Sequence, residues 1–292
     1  HSIIDEGRTW LQTFIALSKS PTAARGTALR AAGVLAIYQG EYETAQTQCE
    51  EALSIFQQLD NPRGIAISFN ELGLVAGHRG EYAAARQFLE QSLAIKRELG
   101  DEWLIANSIV NLGLIADYLN DYEAAYALHQ ECLAIYRTLN ETSGIAIASG
   151  NLGHAALHLG RLDEARARQA ESIKLFDAVG GKDGLTECLE RFAMLANADL
   201  DFSRAARLFG AASVLRKEAG TTLPPAEQAE YERELNTTRT QLDTATFDAE
   251  WRAGQTLTLE QAIGLALSEA VGPQSAAPRK NLSEKASKYP SR

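Results

Sequence analysis

His154 and His158 stand four residues apart, a spacing that would put both imidazoles on one face of a helix. Such a pair can begin a divalent-metal site, which needs a third ligand and usually a neighbouring carboxylate. The residues between them are Ala155, Ala156 and Leu157, so the His-Glu-x-x-His pattern is absent. With the ligand set incomplete no metal is expected, and the two histidines read as groove or surface groups. Cys132 could act as a nucleophile, but it falls in register with Ala52, Ser92, Ser172 and Ala212, where only small residues stand. It reads as a packed small side chain. Carboxylates such as Glu50-Glu51 and Asp163-Glu164 sit where a solvated helix face is expected, and no catalytic pair stands out. Neither Gly-x-x-x-x-Gly-Lys-Ser/Thr nor Gly-x-Gly-x-x-Gly occurs, which excludes phosphate cradles of those kinds. No catalytic residue and no cofactor is expected, and the chain is read as a binding protein rather than an enzyme.

The elements that carry these residues repeat. Gly33, Gly73, Gly113 and Gly153 are spaced by 40, as are Gly40, Gly80, Asn120 and Gly160. Ala45, Ala85, Ala125, Ala165 and Ala205 keep the same interval, and so do the bulky residues Tyr42, Tyr82, Tyr122, Leu162 and Phe202. The fifth unit is degenerate, with Ala193 and Leu200 in place of the two glycines. Within residues 63–102, Ile65, Phe69, Leu72 and Val75/Ala76 form one helical stripe, and Tyr82, Ala85, Leu89, Ser92 and Leu93 form a second. Gly80-Glu81 separates the two helices. Gly100-Asp101 ends the unit with a glycine stop and an aspartate cap, and Pro62 suits a first helical turn. Neither helix could bury its stripe alone, so the units must stack.

Composition agrees with a stack that binds proteins or small molecules. The chain has 292 residues, 45% of them hydrophobic, a net charge of −10 and a pI near 5.1. That balance repels phosphate backbones, so direct nucleic-acid binding by this segment is not expected. Cys49, Cys132 and Cys188 form neither a disulfide framework nor a zinc pattern and fit a reducing cytoplasm. No apolar run approaches a membrane span and no signal peptide is legible. The start at His1 reads as a piece of something longer.

Leu72-Gly73, Gly80-Glu81-Tyr82 and Ala85 resemble the tetratricopeptide repeat, which carries Leu-Gly in its first helix, Gly-x-Tyr at the turn and Ala in its second. The 40-residue unit looks like the long variety found in kinesin light chain and in many bacterial signalling proteins. The resemblance implies an all-α fold, a right-handed superhelical solenoid of antiparallel helix pairs with about five to six repeats. It also implies a concave groove lined by the first helix of each unit. By that implication one groove ladder is Ala31, Glu71, Asn111, Asn151 and Arg191, with Asn70 beside it. Asn111 and Asn151 could clamp a peptide backbone, or could complete hydrogen bonds between helices of the stack. A second ladder, Tyr38, His78, Tyr118 and His158, could pack against an apolar ligand group.

The C-terminal part carries Ala205-Ala206-Arg207-Leu208-Phe209-Gly210-Ala211-Ala212, Leu223-Pro224-Pro225, Glu230-Tyr231-Glu232, Phe247-Asp248-Ala249-Glu250-Trp251 and Leu259-Glu260-Gln261-Ala262. This order is similar to the end of the sensor region in bacterial ATPase-coupled LuxR-type transcriptional regulators. It implies an upstream ATPase module, a downstream DNA-binding module and a protein, peptide or small inducer as partner. A general scaffold and a self-associating homo-oligomer are the alternatives. The expected layout is a repeat domain over 1–224, capping helices over 225–271 that close the end of the stack, and a flexible linker over 272–292. Pro225 can open the first capping helix and Thr258-x-x-Gln261 a later one.

Overall fold

The computed structural model describes residues 3–219 and 223–268. The linker expected over 272–292 lies outside them. All regular structure among the described residues is helical, in fourteen helices. After α1 (Ile3–Leu17) come five antiparallel pairs: α2 (Ala23–Tyr38) with α3 (Tyr42–Gln58), α4 (Pro62–His78) with α5 (Tyr82–Leu99), α6 (Glu102–Tyr118) with α7 (Tyr122–Leu139), α8 (Thr142–His158) with α9 (Leu162–Val179), and α10 (Lys182–Ala198) with α11 (Phe202–Ala219). Each pair packs internally and on the next, forming a helical solenoid. No helix among the described residues is long and apolar enough to cross a membrane.

The 40-residue period is set by sterics at a few positions. The turn inside each pair needs one residue in the left-handed region: Gly40 (φ 73°), Gly80 (77°), Asn120 (58°), Gly160 (74°) and Leu200 (63°). The fifth unit therefore keeps the geometry while losing the glycine. Caps fix the helix starts: the Asn61 and Asp101 side chains accept from the backbone N–H groups of Gly64 and Leu104 at 2.9 and 3.1 Å.

Close packing within a pair uses the first-helix glycine. A Cβ at Gly33 would meet Cys49 Sγ at 2.7 Å, one at Gly73 would meet Leu89 Cγ at 2.7 Å, and one at Gly113 would overlap the His129 ring. The side chain sixteen residues after each glycine fills the space. The small-residue ladder has its own bond: Ser92 and Ser172 donate to the carbonyls of Ala66 and Ala146 at 2.7 and 2.8 Å, and Cys132 reaches that of Ala106 at 3.4 Å. Burial pushes the Cys132 thiol up to about 12, in keeping with a packing role.

Between pairs, the rings of Phe56, Tyr136 and Phe176 cover Gly64, Gly144 and Gly184, where a Cβ would collide with them. The second pair breaks this rule at both positions at once: Lys96 replaces the ring and Leu104 the glycine. Lys96 is buried (1% exposed), and its ammonium donates to Ser108 Oγ at 2.7 Å and Asn70 Oδ1 at 3.3 Å.

The last three helices split between two tasks. α13 (Thr244–Gln255) and α14 (Leu259–Leu267) pack on α11. At the crossing of α11 and α13 the backbones touch, because a Cβ at Gly254 would overlap the Arg207 carbonyl and one at Gly210 the Trp251 carbonyl. Ala262 and Ala266 join the core around Leu208 and Phe209, and Thr258 forms a capping box with Gln261. α12 (Pro225–Gln241) packs on α11 as well but also reaches α6, α8 and α10 through side-chain hydrogen bonds, with Thr238 as its only buried residue.

Candidate functional site

The first helices of successive pairs are tied together by polar side chains. Arg30 pairs with Glu71, Asn111 Nδ2 donates to Asn70 Oδ1 at 3.3 Å, and Arg191 donates to Asn151 Oδ1 at 2.9 Å. Each partner lies 40 or 41 residues from the other, one repeat on. Asn70 Oδ1 also accepts from Lys96 and Ser108, so its lone pairs are committed to the stack. Asn70, Glu71 and Asn151 are buried, while Asn111 is half-buried. The polar ladder thus makes the inter-repeat hydrogen bonds that were one of its two expected roles. Asn111 is its member on the wall of a cavity at the open side of the groove.

The aromatic ladder faces open space more directly. Tyr38 is 76% exposed, and His78 stacks on Tyr42 with centroids 5.5 Å apart. Together with Asn111 and Tyr118 they line a cavity of about 660 Å³, which is bounded on its far side by Glu187, Arg216 and the start of α12 at Leu223, Pro224 and Glu227. A second cavity of about 390 Å³ lies between α12 and the first helices, and Tyr118, His154, Arg191 and Glu230 contribute to its wall.

α12 supplies groups that the sequence ladders do not contain. The Tyr118 hydroxyl donates to Glu227. Glu230 receives His154 Nε2 at 3.0 Å and His158 Nε2 at 2.6 Å. The Asn197 amide donates to the Glu234 backbone carbonyl at 3.0 Å, and Thr238 donates to Asn197 Oδ1 at 2.8 Å. Glu227, Glu230 and Glu234, spaced three and four apart, make an acidic stripe on one helix face. That spacing was the available sequence signature for α12, since the helix has no apolar stripe of the usual kind.

The histidine pair thereby gains carboxylates from two directions. Asp117 takes His129 Nε2 at 3.0 Å through one oxygen, and its other oxygen lies 3.6 Å from His154 Nδ1. Tyr122 stacks on His158 at 4.1 Å. Burial opposes charge on His154, but the neighbouring carboxylates of Asp117 and Glu230 outweigh it and raise its pKa to about 9. Burial likewise opposes charge on Glu230, yet the two imidazoles hold it well below the usual carboxylate range. The carboxylate absent from the local sequence comes from a helix more than seventy residues away.

Comparison with known proteins shows the fold. The family described as tetratricopeptide repeat matches residues 24–98 and again 64–138, one 40-residue step on. That stretch, residues 24–138 and less than half of the chain, is similar to tetratricopeptide repeats. No curated protein matches in sequence. Among solved structures, BtubC from P. vanneervenii superposes with a TM-score of 0.60 at 19% identity, over 77% of this chain and 95% of its own. A Rap protein complexed with competence and sporulation factor gives 0.67 at 15% identity, over 90% of this chain and 70% of its own. Aspartyl phosphate phosphatase F from Bacillus subtilis gives 0.60 at 12% identity, over 84% and 63%.

Proposed function

We propose that the chain is the non-catalytic sensor domain of a bacterial signalling or transcriptional regulator, and that it takes a protein, peptide or small inducer in its concave groove. A cytoplasmic setting, an upstream ATPase module and a downstream DNA-binding module belong to the same reading. The observation that carries it is the cavity of about 660 Å³, lined by Tyr38, His78, Asn111 and Tyr118 and open beside α12. Its size suits a small ligand or a few peptide side chains, and exposed aromatic groups beside a few polar ones are what such sites use. The Rap neighbour is described with a factor bound, so this fold does host ligand binding in one of its relatives in shape.

The test uses two positions on the cavity wall. Tyr38 is 76% exposed, so Tyr38→Ala with His78→Ala should leave the thermal transition near that of the wild type. The full chain is used to capture proteins and small molecules from a bacterial lysate, which are identified by mass spectrometry. A species retained by the wild type and lost from the double variant is expected. Equal retention by both, or none by either, would overturn the groove assignment.

Self-association without an inducer is favoured by a separate observation. On α1, Trp10 is 67% exposed, Phe14 43% and Leu17 81%. An apolar helix face of this kind commonly covers a partner surface. Light scattering at increasing concentration separates the two readings.

A further inference from the structure

His154 and His158 project from successive turns of α8 toward Glu230 on α12. The candidate donor atoms of the three residues all lie within 4.8 Å of one another. Metal bonds of about 2.0–2.1 Å in tetrahedral array place neighbouring donors roughly 3.3 Å apart. The two imidazoles meet the two oxygens of Glu230, His154 Nε2 at 3.0 Å and His158 Nε2 at 2.6 Å, so all three groups already converge on one point.

The surroundings are those of a ligand set held from behind. Asp117 Oδ1 is buried and has no hydrogen-bond partner, although it faces His154 Nδ1 at 3.6 Å. Its sister oxygen is fixed by His129. If Nε2 of His154 is bound to an ion, the ring's proton must sit on Nδ1, where it can be donated to that unpartnered oxygen. A carboxylate behind a ligating imidazole is the usual support at such sites. Tyr122, stacked 4.1 Å over His158, fixes the second ring. His154 and Glu230 border the cavity of about 390 Å³, which gives a fourth, water ligand room.

We propose that His154, His158 and Glu230 form a site for a divalent transition-metal ion of the zinc class, joining α8 to α12. Two imidazoles and one carboxylate suit zinc or cobalt, whereas calcium and magnesium require a shell of oxygens. The site stands independently of the ligand groove proposed above, because it is tested with the ion alone. Without an ion the same three side chains are held together by protons, and the experiment distinguishes the two states.

The full chain, stripped with chelator, is titrated with cobalt and with zinc. One ion per chain is expected, with the visible absorption of tetrahedral cobalt bleached when zinc displaces it. His158→Ala and Glu230→Gln should each weaken binding at least about tenfold, and Asp117→Asn by roughly 10- to 100-fold. Glu90→Gln, on an exposed face of α5, should leave metal affinity unchanged. Zinc should also raise the Tm of the wild type but not that of Glu230→Gln. Absence of stoichiometric binding, an octahedral cobalt spectrum, or an affinity untouched by His158→Ala and Glu230→Gln would overturn the site. The wild-type cobalt spectrum decides the matter even if a variant fails to fold.

Discussion

Glu71 shows how burial can invert an apparent ion pair. Arg30 reaches one of its oxygens, but the other is buried without a partner, and the residue is 4% exposed. Burial raises its pKa from 4.5 to about 7, against the pull of Arg30. Between those values the folded chain binds the extra proton, so stability falls as pH rises through that window. Lys96 is lowered from 10.5 to about 8 by burial, against Glu71 and Asp101, so its contribution recovers as pH rises from 8 to 10.5. These two groups are therefore least favourable to folding between about pH 7 and 8. Glu71→Gln, neutral throughout, should gain on the wild type between pH 5 and 8 by on the order of 2 kcal/mol. Urea unfolding at the two pH values measures this, and parallel stabilities would contradict it. None of this was legible in the sequence, where Glu71 was one more member of a groove ladder. Its burial depends on neighbours 41 and 25 residues away.

At the level of the helix pair, the ladders were legible because each reports a local steric demand. A tight turn, a close crossing or a cap restricts one position to a few residue types, and repetition makes the restriction visible. Leu200 escaped because its turn keeps a positive φ without the glycine. The exchange of ring and glycine for Lys96 and Leu104 makes a sharper test of the packing. By register, Leu104 occupies the place that Gly64, Gly144 and Gly184 leave to a ring. Lys96→Phe alone should strain the interface, and Leu104→Gly alone should leave a gap. The double variant restores the pattern of the other pairs. A favourable coupling of at least about 1 kcal/mol is expected from the thermodynamic cycle. Additive effects would mean that the two positions do not share space.

Across the molecule, the resemblance implied a groove along the first helices, and the place of α12 against them was not legible. Capping helices were expected over 225–271; α12, α13 and α14 all pack on α11, and α12 also reaches the first helices of three pairs. Its place follows from long-range polar pairing, which leaves no periodic trace, and only the acidic stripe hints at it. Those contacts are few and partly solvated, so α12 should open before the repeats do. Glu227→Ala with Glu234→Ala should speed hydrogen exchange in α12 on the order of tenfold, while α4–α9 and the α11–α13 crossing stay protected. Uniform protection would show that α12 is held mainly by its other face, where Tyr231 meets Phe209 edge to face at 5.5 Å.

α12 touches α6 at Glu227, α8 at Glu230 and α10 at Glu234 and Thr238. Those anchors span about 16 Å of a stiff rod laid across three repeats. A solenoid is a spring whose pitch is summed from small rotations at each joint. A rod fastened at three coils takes the compliance out of that stretch, leaving flexure to the N-terminal coils. By the same mechanics, a variant that frees the rod should restore that stretch's compliance, so the stiffness of three coils hangs on a few carboxylates.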